Sequence, residues 1–179
     1  VIPEAQWLLE RERRSRREGS GLSQAALIGS WRLERIWSKG SLRPAAFGAA
    51  LLRGLAARLQ LAPNDGADAG GETMRIANSV RLGALELRFD GVGRLQGRRP
   101  LLVFSFDRLR VMLGGRVLIE RPLPAPDPLR RPFFALIAAE RPGPGGPDST
   151  TGASRGWLAA RGRGGGLALW LLEPGEATK

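Results

Sequence analysis

The chain has 179 residues, 42% of them hydrophobic, with 25 glycines and 13 prolines. That length is enough for one domain with a real core, and the turn-forming content favours a β-rich fold over a helical bundle. Neither cysteine nor histidine is present, which excludes thiol and imidazole catalysis, the usual zinc sites, haem ligation by histidine and disulfides. The formal charge is +11, carried by 26 arginines and only two lysines, Lys39 and Lys179. Such a surface attracts polyanions or anionic headgroups.

Residues 3–18, PEAQWLLERERRSRRE, predict a charged N-terminal helix within residues 1–20, with Pro3 in its first turn. Glu10 with Arg14 and Glu12 with Arg16 are i,i+4 pairs that suit a solvated helix. The alternative is an interfacial anchor, with Trp7, Leu8 and Leu9 contacting lipid while arginines meet headgroups. No run reaches the ~18 apolar residues that cross a bilayer. The arginines follow the short apolar run, the reverse of a secretion signal.

Residues 21–173 form the predicted barrel domain. Leu27–Ser38, LIGSWRLERIWS, predicts the first strand, and its Gly-x-Trp suits an indole that plugs a barrel end. Leu51, Leu52, Leu55 and Leu59 share a helical stripe with Phe47 a turn earlier, predicting one crossover helix over about 42–61. That helix either packs on the barrel or faces a membrane through Phe47, Leu51 and Leu55. From Thr73 to Arg121 the period is two, predicting four or five antiparallel strands in a meander that curls into a barrel. Gly83 marks a bulge or tight bend, and Asp90-Gly91 and Gly114-Gly115 read as hairpin turns. Pro122–Pro132 is an edge or crossover segment. Phe133–Glu140 is another strand, and residues 141–154 read as a mobile loop. Gly156–Ala160 and Gly166–Glu173 form a closing hairpin, and 174–179 a frayed tail.

No catalytic constellation emerges, so the expectation is that the protein is not an enzyme and holds no cofactor or metal. Gly162–Gly166 lacks the strand–loop–helix context of a phosphate cradle. Asp90 and Asp107 lie beside Arg88 and Arg108 and read as surface or cross-strand partners. Three classes remain: a lipid-associated barrel, a nucleic-acid binder acting through charge alone, and an assembly or scaffold protein whose arginines dock an acidic partner. For the first, candidate cavity-lining residues are Trp31, Leu87, Phe89, Phe104, Phe106, Leu169 and Leu171. Strand parity does not say which of them face inward.

The order of signals resembles the plastid lipid-associated proteins, or fibrillins, in a cyanobacterial-type form. Leu27–Leu33 (LIGSWRL) is similar to that family's opening L-x-G-x-W-x-L, and Ala77–Val80 to its N-x-V strand. Arg98–Phe104 resembles its basic-then-apolar strand, and Trp157–Leu172 its closing R-G-x-x-G-x-hydrophobic hairpin. Gly156, Leu158 and Ala159 stand where the family commonly carries an Asp and a further Arg. The resemblance implies an all-β-dominated, lipocalin-like (calycin) antiparallel barrel. It also implies binding of a prenyl or other apolar lipid, such as a quinone or carotenoid, or peripheral attachment at the cytoplasmic face of thylakoid-type membranes. In calycin-like barrels an arginine of the last strand often covers the first-strand tryptophan. Trp31 and Arg161 occupy those places, which predicts a cation–π pair closing the barrel.

Overall fold

A computed structural model describes residues 2–40, 57–64, 73–142 and 156–174. Two helices, α1 (Ala5–Glu18) and the single-turn α2 (Gln24–Leu27), precede the strands β1 (Gly29–Trp37), β2 (Arg58–Pro63), β3 (Thr73–Leu82) and β4 (Leu85–Gln96). There follow β5 (Leu101–Leu113), β6 (Arg116–Pro122), a 3-10 turn (Pro128–Arg130), β7 (Phe133–Glu140), β8 (Trp157–Gly162) and β9 (Leu167–Leu172). The sheet order is β4-β3-β2-β1-β9-β8-β7-β5-β6, and β4 also pairs with β5. Eight strands thus close into an antiparallel ring, with β6 outside it.

Closure depends on β5 dividing one of its edges. Leu101–Val103 pair with β7, whereas Arg108–Leu113 pair with β6. The far half of β5 therefore leaves the ring and carries β6, together with the ends of β3 and β4, into a ribbon at the Trp37 end of the barrel.

Several sequence expectations change here. Asp90-Gly91 is no turn: it lies inside β4, at a register shift against β5. A Cβ on Gly91 would collide with the backbone carbonyl of Ser105, so the glycine serves a close strand approach at a bulge. The hairpin falls at Gly83-Ala84, where Gly83 takes φ 59°. Gly114-Gly115 forms the β5–β6 turn as expected. Leu27 ends α2 instead of opening β1. Arg58–Leu61 are strand, not the end of a helix, because Leu59 and Leu61 alternate with Arg58 and Gln60 and the segment pairs with β1 and β3 on its two edges. Residues 41–56, with Phe47, Leu51 and Leu55, lie outside the described residues, as do most of the 141–154 loop and 175–179.

Two cores result. Inside the ring, Trp31, Leu33, Leu59, Met74, Ile76, Leu102, Phe104, Leu136, Leu158 and Trp170 pack in one buried cluster. A second cluster lies between the outer face of β7–β9 and α1: Ala5 and Leu8 of the helix meet Trp37, Ile137, Trp157, Leu169 and Leu171. Ala5, Leu8, Glu12 and Ser15 fall at the 3–4 residue spacing of one helical face, and all four are buried. Leu8 alone is worth about 1.5–3 kcal/mol when fully buried. The N-terminal helix is therefore docked on the barrel wall, neither solvated all round nor inserted through Leu8.

Candidate functional site

The candidate cavity-lining residues do not come together around one cavity. Trp31 and Phe104 are buried inside the ring, and Phe106 packs against that cluster. Leu169 and Leu171 belong to the opposite face, under α1. The alternation in β9 puts Ala168 and Trp170 inward and Leu169 and Leu171 outward. Leu87 and Phe89 sit on the ribbon. A run of rings, Phe89–Phe106–Phe104–Phe134–Trp170, carries aromatic packing from the ribbon to the far wall, with centroids 5.6, 5.3, 5.1 and 5.4 Å apart.

The expected Trp31–Arg161 pair is replaced by two separate contacts. Trp31 donates its indole N–H to the carbonyl of Leu27 at 2.7 Å. Arg161 shares the outer face with Trp157 and Ala159, so the sheet stands between it and Trp31. Its Nε and Nη2 donate to the two carboxylate oxygens of Glu12 at 2.8 and 2.6 Å, and Nη1 donates to the Gly165 carbonyl at 2.6 Å. Arg16 and Arg99 reach the same carboxylate at 2.8 and 3.2 Å. Burial pushes the Glu12 carboxyl upward, but the hydrogen bonds from Arg161 and Arg16, and their charges, outweigh it and hold the group below its ordinary pKa. This carboxylate fastens α1 to the wall. Sequence reading found only its Arg16 partner, because the i,i+4 rule is local and the other two arginines come from β8 and the β4–β5 turn, far away in sequence.

Of the candidate membrane contacts, Trp7 is 43% exposed and meets Trp157 edge-on at 5.7 Å, with Arg11 over its ring. Leu8 is buried and Leu9 half-buried. Among the described residues Leu129 of the 3-10 turn is the most exposed apolar residue, at 87%, and six others cluster on the ribbon: Leu82, Leu85, Leu113, Val117, Leu118 and Ile119.

Strand register explains the arrangement. Leu82, Leu85 and Leu113 form one cross-strand row, and Val80, Leu87, Val111 and Ile119 the next; both continue the face that lines the barrel interior below. Beyond the ring no element among the described residues covers that face. The reverse face carries Ser79, Arg88, Arg110 and Glu120 in one row and Ala77, Asp90 and Arg108 in another. Its charges are paired: Asp90 accepts from Arg88 and Arg110 at 2.8 and 2.9 Å, and Glu86 from Arg81 at 2.7 Å. Two open depressions of about 500 and 650 Å³ run along this polar face, the second ending at Glu173, which accepts from Arg58 and Ser30. Burial raises the Glu173 carboxyl, while the hydrogen bonds of Arg58 and Ser30 more than reverse the shift and leave it lowered.

The sequence did hold one signal for the ribbon. Val117-Leu118-Ile119 is apolar at three successive positions of a strand, so no single buried face could hide it. Leu118 is the extra residue at a second register shift, where Val111 pairs with Ile119 and Met112 with Val117.

No helix among the described residues is long and apolar enough to cross a membrane, and no cluster of metal-ligating groups occurs among them. No protein-family model matches the chain, and no match to a curated protein is found.

Proposed function

We propose that this chain is a non-catalytic, lipid-associated protein with a lipocalin-like barrel, and that it meets lipid at its surface. The observation that carries this reading is the division of its apolar side chains. Those of the ring fill the interior with one another, from Trp31 to Trp170, while those at the ribbon's end, from Leu82 to Ile119, stand in solvent. A barrel packed with its own tryptophans and leucines has little room for a quinone or carotenoid, so attachment to a lipid phase is favoured over carriage inside. The arginine excess and the +11 charge add attraction to anionic headgroups. The resemblance of Leu27–Leu33 and Trp157–Leu172 to plastid lipid-associated proteins supports the same class, with thylakoid-type membranes as its setting.

The test is sedimentation of the full chain with vesicles of phosphatidylcholine alone and of phosphatidylcholine with phosphatidylglycerol, at low and moderate salt. The expected result is binding to the anionic vesicles that weakens with salt but persists, because apolar burial is not screened. Failure to bind either vesicle, or tight binding to duplex DNA that collapses with salt, would replace this reading with the nucleic-acid one.

A further inference from the structure

The reading of lipid association leaves open which surface touches the membrane, and the inference here rests on that reading. We propose that the free tip of the ribbon, formed by the β3–β4 and β5–β6 turns together with β6, is the element that inserts into the interface of an anionic membrane. The two turns act as one unit: the Gly114 amide donates to the Ala84 carbonyl at 2.8 Å, and Leu85 stands beside Leu113. At the tip Leu82 is 64% and Leu118 58% exposed, and Leu85, Leu113, Val117 and Ile119 are exposed around them.

Isolated exposed leucines need no explanation, but Leu82, Leu85, Leu113 and Ile119 share one face of the ribbon's end, with Leu118 at its bulge and Val117 on the reverse face, and such a cluster marks an interaction site. What surrounds the patch identifies the partner. Arg116 opens β6 beside the tip and Arg121 stands near its base; among the described residues neither enters an ion pair. Arg81 near the tip and Arg108 at the ribbon's base are partly exposed but paired with Glu86 and Glu120. Apolar side chains at the tip, flanked by the arginines of β6, Arg116 beside Leu113 and Arg121 beside Leu109, suit an interface of acyl chains and anionic headgroups.

The alternative occupant of such an edge, another β-strand, meets a poor template. Leu118 is a bulge residue, and Pro122 at the end of β6 has no N–H. The two hairpins are also tied back into the ring. β4 and β5 stay paired, across one bulge at Asp90/Gly91, from the tip to the β4–β5 turn at Gly97, so the tip is continuous with the ring.

The chain lacks cysteine, so a single introduced thiol can be labelled without a background. Leu118→Cys carrying an environment-sensitive fluorophore should blue-shift on addition of phosphatidylcholine/phosphatidylglycerol vesicles. Gln96→Cys, at the opposite end of β4, should not. Leu82→Asp/Leu118→Asp should lose roughly tenfold or more of the vesicle affinity, since each leucine contributes at least that factor when buried. The substituted positions are solvent-exposed, and a circular dichroism melt matching the parent would show that the fold is retained. If the parent protein binds these vesicles while the labelled tip stays in water and the aspartates change nothing, the tip assignment is overturned and lipid association stands. If the parent binds no vesicle, the broader reading fails first. A parent dimer converted to monomer by Leu118→Asp would likewise overturn the proposal, assigning the tip to a second copy of the chain.

Discussion

The closing hairpin and the ribbon are built from similar strands and have opposite fates. β8 and β9 carry apolar residues on both faces, and nearly all of them are buried, because the ring interior covers one face and α1 the other. β5 and β6 end in a comparable density of Leu, Val, Ile and Met, yet β6 is exposed along its whole length. Composition does not separate the two. The second layer does: an apolar face becomes core only where another element is placed to cover it.

That contrast can be tested with substitutions of equal chemistry. Leu169→Ala, at a fully buried position under α1, should cost about 2–5 kcal/mol, read from the midpoint of urea unfolding. The α1 side of that layer should respond less strongly. Glu12→Gln keeps the shape of the site but removes the charge shared by Arg161, Arg16 and Arg99, and a loss of about 1–3 kcal/mol is expected. The same group sets a pH dependence. A carboxyl whose folded pKa lies below its unfolded value contributes stability above the unfolded value, near pH ~4.3, and loses it as pH falls through the folded one. Both Glu12 and Glu173 are lowered in the folded protein. Unfolding midpoints should therefore fall on acidification below pH ~4.3, and Glu12→Gln should flatten that decline. The smallest effect belongs to the ribbon. Leu118→Ala should change unfolding by no more than about 0.5 kcal/mol, as exposed positions usually do. A large loss there would mean that the tip is structural and would erase the comparison.

Much of the architecture was legible in the chain. The period-two runs around Met74–Leu82 and Leu85–Phe89, the short apolar run Phe133–Glu140 and the Gly114-Gly115 turn located strands and a hairpin, since alternation, apolar runs and left-handed glycines are local signals. Position 91 misled because glycine reads alike in a turn and at a bulge; only the partner strand, with Ser105 against it, distinguishes them. Arg161 misled for a related reason. Its residue type suited a cation–π cover for Trp31, but the inward or outward sense of β8 is fixed by a helix far away in sequence. The ribbon was missed because exposure of an apolar strand depends on what does not pack against it. The Val117–Ile119 run was its one local trace.

The division of β5 between two partners has a consequence for how the ring can come apart. Only three residue pairs, Leu101 with Ala135, Leu102 with Phe134 and Val103 with Phe133, join β5 to β7. The β4–β5 ladder runs for twelve pairs from Leu85 to Gln96. The β5–β7 ladder is the shortest of the ring, with the four pairs of β1–β2 next. Breathing motions should unfasten the barrel at β5–β7 first, turning a closed tube briefly into an open curved sheet with Leu102 and Phe104 at the parting edges. Amide exchange should register this as faster exchange at Phe104 and Leu136, whose N–H groups bond Pro132 and Pro100 across the gap, than at Ala159 or Leu169 in the wall beneath the helix.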